Sequence, residues 1–270
     1  MSYMKNIYRK IGCAIRDYNM IEDGDKILVA LSGGKDSFTM LDVLSRLQKR
    51  APVEFSLSVY IVHPGFPGFS VDPIVKWLEE NRYDYQVIKS DIYETVFNDR
   101  EKSEDGCFYC SRQRRAILYR QADMHGCQKI ALGHHRDDFI ESVLLSMMYN
   151  GRIETMLPIF EGGSEKFKVI RPLMYVEEEK IRRYALEKGF PVTCCFCPLS
   201  HKGNLRRKKV KNMLSEFAKD ESDIKGSLFR SLSNFNAEYM LDLTYNKRLK
   251  NFTELIINTS REGISLNKIE

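Results

Sequence analysis

No apolar run in this chain approaches the roughly 20 residues that a helix needs to cross a bilayer, so a membrane-spanning helix is not expected. The opening stretch, MSYMKNIYRKIGCAIRDYN, is polar and charged and lacks the apolar centre of a secretion signal. The reading is a soluble, cytoplasmic protein. Internal repeats beyond a strand–helix rhythm are missing, as are low-complexity tracts. Two familiar phosphate loops are also missing: neither G-x-x-x-x-G-K-[ST] nor G-x-G-x-x-G occurs. Nor is there a large excess of one charge, since 42 Lys and Arg face 37 Asp and Glu for a formal net charge of +5.

What is present points to a folded, nucleotide-handling protein. Of the 270 residues 43% are hydrophobic, enough to fill the core of one large α/β domain or a domain with appendages. The basic residues cluster in SRQRRAILYR from Ser111 and HKGNLRRKKVKN from His201. Such blocks either neutralise phosphates or are solvated helix faces. The seven cysteines are read as reduced thiols. Cys107 and Cys110 form one C-x-x-C, and Cys194 and Cys197 form another with Cys195 inside it, while Cys13 and Cys127 are read as buried thiols.

Along the chain, an amphipathic helix over residues 4–20 leads into the strand KILVAL, a glycine turn, the helix FTMLDVLSRLQKR and a second strand, FSLSVYIVH. Strand, helix, strand is the order of a parallel βαβ unit. The rhythm repeats through VDPIVKWLEENR, DYQVIKSD, the helix starting at Cys110, KIAL, the helix after GHHRDD, and KVIRPLMYV. The expected fold is α/β: a doubly wound, mostly parallel five-stranded sheet with helices on both faces. The expected layout is an N-terminal helix (1–25), a nucleotide domain with the cysteine site (26–200) and a basic helical extension (201–270).

The stretch ILVALSGGKDSFTML places two glycines, a lysine, an aspartate and two serines between a strand and a helix. Gly33 and Gly34 permit positive φ and close backbone approach, the helix start favours an anion, Ser32 and Ser37 donate, and Lys35 adds a cation. Asp36 can hold a metal ion or orient a polar group. A phosphate or pyrophosphate is the expected occupant; the bland alternative is a serine-capped turn.

SGGKDS resembles the pyrophosphatase loop of the PP-loop ATP pyrophosphatase superfamily, whose members share a Rossmann-like, adenine nucleotide alpha hydrolase fold and adenylate a carbonyl oxygen. Together with CFYCSRQRRAILY, IALGHHRDD and PVTCCFC, it is similar to the tRNA 2-thiocytidine synthetases. The resemblance implies ATP-dependent replacement of the C2 oxygen of an anticodon-loop cytidine, at position 32, by sulfur. It implies ATP, Mg²⁺ and a [4Fe–4S] cluster, with Cys107, Cys110 and Cys194 as cluster ligands and one iron open; Cys195 leaves the third ligand ambiguous. It further implies Lys35, Asp36 and Asp138 in catalysis, and Ser32, Gly33, Gly34, Ser37, His63, Arg114, Arg115 and Gly133 against the nucleotide. The implied partners are tRNA and a cysteine desulfurase or other sulfur donor, with no membrane and a homodimer left open.

Alternatives stay open at this point. Four thiolates from Cys107, Cys110, Cys194 and Cys197 could hold a structural zinc in a non-catalytic nucleotide- or tRNA-binding module. The same ATP chemistry could act on uridine or a small molecule. Cys194 and Cys197 could also be a redox or persulfide pair. Asp137 and Asp138 could simply cap a helix, and His134 and His135 could carry protons, contact nucleotide or be merely hydrogen-bonded. NLRRKK is read as a tRNA backbone contact, and Phe108 or Phe196 as a platform for a splayed base.

Overall fold

The computed structural model describes residues 2–97, 106–162, 167–193, 205–220, 223–234 and 236. In chain order the elements are α1 (Ser2–Asp17), β1 (Asp25–Ala30), α2 (Lys35–Gln48), β2 (Phe55–His63), α3 (Asp72–Glu80), β3 (Tyr85–Lys89), α4 (Ile92–Phe97), α5 (Gly106–His125), β4 (Lys129–Ala131), α6 (Arg136–Asn150), β5 (Ile159–Glu161), β6 (Lys168–Ile170), α7 (Glu178–Lys188), α8 (Leu205–Asp220) and α9 (Ile224–Ser231). Met1–Lys225 form one compact unit, and Gly226–Glu270 form a second.

The strands lie in the order β3-β2-β1-β4-β6-β5, parallel except for β5, which pairs antiparallel with β6. The sheet is thus the expected mostly parallel one with a sixth strand added at its edge. Three residues, Ile159–Glu161, give too short a pattern to be read from sequence. From β1 the chain builds β2 and β3 on one side, then returns to place β4 on the other. That reversal between β1 and β4 opens a crevice beyond the carboxyl ends of the strands, where ligands bind in such sheets.

Strand alternation sorts the core into two layers. Leu28, Tyr60, Ile130 and Val169 pack against Leu118 and Ala122 of α5 together with Cys127, so Ile27, Val29, Val59 and Ala131 face the other way. On that other side α2 buries Phe38, Met40, Leu41 and Leu44. Phe38 stacks on Phe190 at 5.4 Å and meets Trp77 edge-on at 5.1 Å. Tyr184 of α7, fully buried, donates its hydroxyl to Asp42 and bonds Tyr8 at 2.8 Å. Each such aromatic, fully buried, stabilises the fold by about 1.5–3 kcal/mol. Helix α5 runs back along the sheet into β4, so its N-terminal end, with Cys110, lies toward the carboxyl edge. The expectation that Cys127 is buried holds, while Cys13 is half-buried.

Candidate functional site

The glycine loop is held open from both sides. Gly33 has φ +83°, and a Cβ there would lie 2.3 Å from Thr193 Oγ1, so only glycine fits. Gly34 departs from the expectation of positive φ: it caps α2 in extended backbone at φ −84°. Ser37 ties the loop together, donating to the Gly34 carbonyl at 2.9 Å and accepting from the Ser32 amide at 3.2 Å; its oxygen lies 3.1 Å from that of Ser32. Gly133, after β4, is pressed against the loop, since a Cβ would stand 3.2 Å from the Ser37 nitrogen.

Two carboxylates receive the loop cation. Lys35 Nζ lies 3.1 Å from Asp36 Oδ1 and 3.2 Å from Glu178 Oε1 at the start of α7. Although burial opposes it, these carboxylates raise the Lys35 pKa above its ordinary value. Glu178 also accepts from Lys211 of α8 at 2.7 Å. Burial alone would push the Glu178 carboxyl up, but Lys211 and Lys35 hold it near about 2. Asp36 Oδ1 is buried and accepts no hydrogen bond among the described residues; His135 Nε2 stands 3.7 Å from it. A buried carboxylate oxygen beside a phosphate loop fits a magnesium ligand.

Both aspartates of GHHRDD are engaged within the protein. Asp138 Oδ2 accepts the His135 amide at 2.9 Å, capping α6, and Oδ1 accepts from Arg207 of α8. Arg207 donates as well to Glu141 at 2.7 Å. Asp137 accepts the Glu178 amide at 2.9 Å and Lys225 at 2.8 Å. His63 is engaged by its own loop: Nδ1 accepts the Gly65 amide at 3.1 Å, so Nε2 carries the proton and donates to the Phe69 carbonyl at 3.2 Å.

A different set of groups stands on the α5 side. Arg171, following β6, is 4% exposed and donates to His134 Nδ1 at 3.2 Å and to the Leu157 carbonyl. Burial lowers its pKa to about 10, with Arg115 acting in the same direction. His134 is held near about 4 by burial and by Arg171. Arg112 and Arg115 are exposed while Arg114, on another face of α5, is half-buried with Nε sealed and without a hydrogen bond among the described residues. Phe108 is exposed and Cys110 half-buried on the first turns of α5.

The remaining cysteine expectations fall on residues whose side chains lie outside the description: Cys107, Cys194, Cys195 and Cys197, as does Phe196. Among the described residues no three His, Cys, Asp or Glu side chains converge on a metal. The approach to the second cysteine group is nonetheless visible, because the Thr193 amide donates to the Gly33 carbonyl at 3.0 Å.

A family model described as a PP-loop domain matches residues 4–192. A tRNA-cytidine(32) 2-sulfurtransferase of Geobacter metallireducens is 41% identical over 87% of this chain and 93% of its own length. The chain belongs to this family. A family member from Delftia acidovorans is 42% identical over 88% of this chain and 76% of its own length. The U34-tRNA thiolase NcsA from Methanococcus maripaludis, solved with its [4Fe-4S] cluster, superposes with a TM-score of 0.70 at 23% identity, covering 86% of this chain and 78% of that one; this likeness concerns the fold.

Sequence reasoning passed over Glu178, Arg171, Arg207 and Thr193. Glu178 sat in plain view as an acidic helix start, and Arg207 inside a run read as tRNA-facing. Nothing local marks either as a partner of the loop or of GHHRDD, because both contacts join elements more than 60 residues apart.

Proposed function

We propose that this protein is an ATP-dependent tRNA sulfurtransferase that replaces the C2 oxygen of cytidine 32 by sulfur. Family membership carries the reaction class. The observation that carries the site is the tether between Thr193, just before the second cysteine group, and Gly33 of the nucleotide loop.

In this reading the amides around Gly33 and Gly34, with Ser32 and Ser37, cradle the ATP phosphates at the start of α2. Lys35 moves from Asp36 and Glu178 onto a phosphate oxygen, and Asp36 takes Mg²⁺ through the oxygen now without a partner. Gly133 lets adenosine lie close to the loop, with the His63 turn flanking the base. Arg114 and Arg115 serve the nucleotide from α5. Asp138 holds the frame of α6 beside the phosphates rather than reaching them unaided, through its bonds to His135 and Arg207. A [4Fe–4S] cluster on Cys107, Cys110 and Cys194 supplies an open iron able to hold sulfur when bound.

The chemistry balances without electron exchange when the donor delivers sulfide. The cytidine O2 attacks the α-phosphorus, the bond from the α-phosphorus to the α,β-bridging oxygen breaks, and pyrophosphate leaves carrying that oxygen. Sulfide adds at C2, the C2–O bond breaks, and AMP leaves. Adenylation is what makes that oxygen a competent leaving group. Residues 26–200 carry the nucleotide and cysteine chemistry, and residues 201–270 a basic extension whose exposed Arg206, Lys208 and Lys209 neutralise tRNA phosphates. Free sulfide provides the sulfur directly, or a cysteine desulfurase does so together with a thiol reductant that supplies the two electrons taking its persulfide sulfur to sulfide. Among the described residues no helix is long and apolar enough to cross a membrane.

The deciding experiment is nucleoside mass spectrometry of tRNA from cells lacking the protein. Loss of 2-thiocytidine is expected; its retention overturns the reading.

A further inference from the structure

Hydrogen-bond direction assigns a role to one histidine that the sequence left open. A guanidinium can only donate. Since Arg171 Nε bonds His134 Nδ1 at 3.2 Å, that ring nitrogen must be the acceptor and the proton must sit on Nε2. Arg171 is itself immobilised: it is 4% exposed, its Nη1 donates to the Leu157 carbonyl, and its guanidinium lies 5.0 Å over the Phe160 ring. No carboxylate pairs with it among the described residues.

The charges around the imidazole run the same way. Arg171 after β6, Arg115 of α5 and Arg207 of α8 disfavour a second proton, and only Asp138 of α6 favours one; burial adds to the majority. His134 is therefore uncharged through the neutral range. Its chain neighbour Gly133 abuts the loop backbone at Ser37, which sets the His134 backbone one residue from the phosphate cradle.

We propose that His134 contacts the reacting phosphate as a fixed neutral hydrogen-bond donor through Nε2–H, and that Arg171 is the positioning residue that imposes this tautomer. A proton shuttle would need a ring free to exchange protons at both nitrogens, which the Arg171 bond forbids. A neutral donor instead stabilises charge developing on a phosphate oxygen at no protonation cost. The inference rests on the ATP chemistry proposed above.

The test follows pyrophosphate release from ATP and tRNA by the holoenzyme between pH 6 and 9, with ¹⁵N spectra of the histidines. His134→Ala is expected to slow release on the order of 10- to 100-fold, the range for one charge-assisted hydrogen bond. His134→Gln, which carries an N–H₂ at similar reach, is expected to recover most of that loss. Arg171→Met keeps length without charge and is expected to approach the alanine rate with the ring no longer fixed as Nε2–H. A glutamine variant as slow as the alanine one, full activity in His134→Ala, or an Nδ1–H or doubly protonated ring at pH 7 each overturns the proposal. Should Arg171→Met not fold, the spectra of the unaltered protein and the two His134 variants decide alone. If the unaltered protein releases no pyrophosphate, the proposed function fails, while the tautomer is still read from its spectrum.

Discussion

The two faces of the sheet meet at its carboxyl edge with differently balanced charge. On the α2 face, Lys35 and Lys211 share Glu178, while Lys10, Lys180 and Arg136 share Glu177. On the α5 face, among the described residues, Arg171 donates to two neutral partners, Arg115 stands near enough to lower its pKa, and Arg114 keeps a sealed Nε without a bond. Buried cations without carboxylates are costly unless an anion joins them. The contrast teaches that on the α2 face cations and carboxylates are matched before substrate arrives, whereas on the α5 face Arg171 has no carboxylate among the described residues and is poised to receive negative charge.

Lys35→Ala breaks this contrast most severely. Lys35 is the loop cation, and its removal leaves Asp36 without its counter-charge and Glu178 with Lys211 alone. Pyrophosphate release is expected to fall on the order of 10²–10³-fold, as for loss of a preorganised electrostatic donor. A rate within tenfold of the unaltered protein would show that the α2 face does not hold the reacting phosphates.

Gly33→Ala and Gly34→Ala separate the two loop glycines. At Gly33 the substitution forces an L-residue into φ +83° and drives its Cβ against Thr193 Oγ1 at 2.3 Å; a loss on the order of 1–2 kcal/mol is expected from the backbone alone. At Gly34, with φ −84° and nothing nearer than Ser32 Oγ at 3.4 Å, the melting temperature should hardly move. Equal shifts in thermal unfolding would mean that Thr193 does not brace the loop.

How much of this was legible in the sequence follows from the range of each interaction. The phosphate loop was readable because strand, glycines and helix start are contiguous, and the parallel sheet because its βαβ units repeat within about 30 residues. The lesson from Asp138 and Arg207 is different. A pair of aspartates at a helix start reads equally as cap or as catalyst, and only the meeting of α6 with α8 shows Asp138 capping and ion-paired at once. Likewise NLRRKK reads as a uniformly outward basic run, yet helical spacing brings its half-buried Arg207, and the exposed Lys211 that follows the run, onto carboxylates, while Lys208 and Lys209 are exposed as read. His134 could not be assigned without Arg171, a residue 37 positions away that carries no motif of its own.

Arg207→Ala tests whether α8 is part of the site's frame. It leaves Glu141, 5% exposed, and Asp138 without their cation. Because the Arg207 side chain is 43% exposed, solvent replaces part of what is lost, and about 1–2 kcal/mol of destabilisation is expected. Chemical denaturation checks this. If stability is unchanged while tRNA affinity falls, Arg207 belongs with the outward basic residues and the division of α8 into two faces is wrong.

The smallest effect is also the one that resolves the two faces by pH. Glu177 and Glu178 are held near about 2 against an ordinary 4.5, burial being outweighed by their lysines. The folded state therefore binds fewer protons than the unfolded one in that interval, so their contribution is complete above about pH 4.5 and is lost as pH falls toward 2. His134 is displaced in the same sense, from 6.5 to about 4, by burial and Arg171. Its contribution is complete above about pH 6.5 and is lost as pH falls toward 4. Denaturation across pH 2–8 should thus show two overlapping slopes. Glu178→Gln should flatten only the lower slope, which belongs to the α2 face, and His134→Gln only the upper, which belongs to the α5 face. A single slope abolished by either variant would mean that the two faces titrate as one electrostatic unit, and their separation by the sheet edge would lose its physical basis.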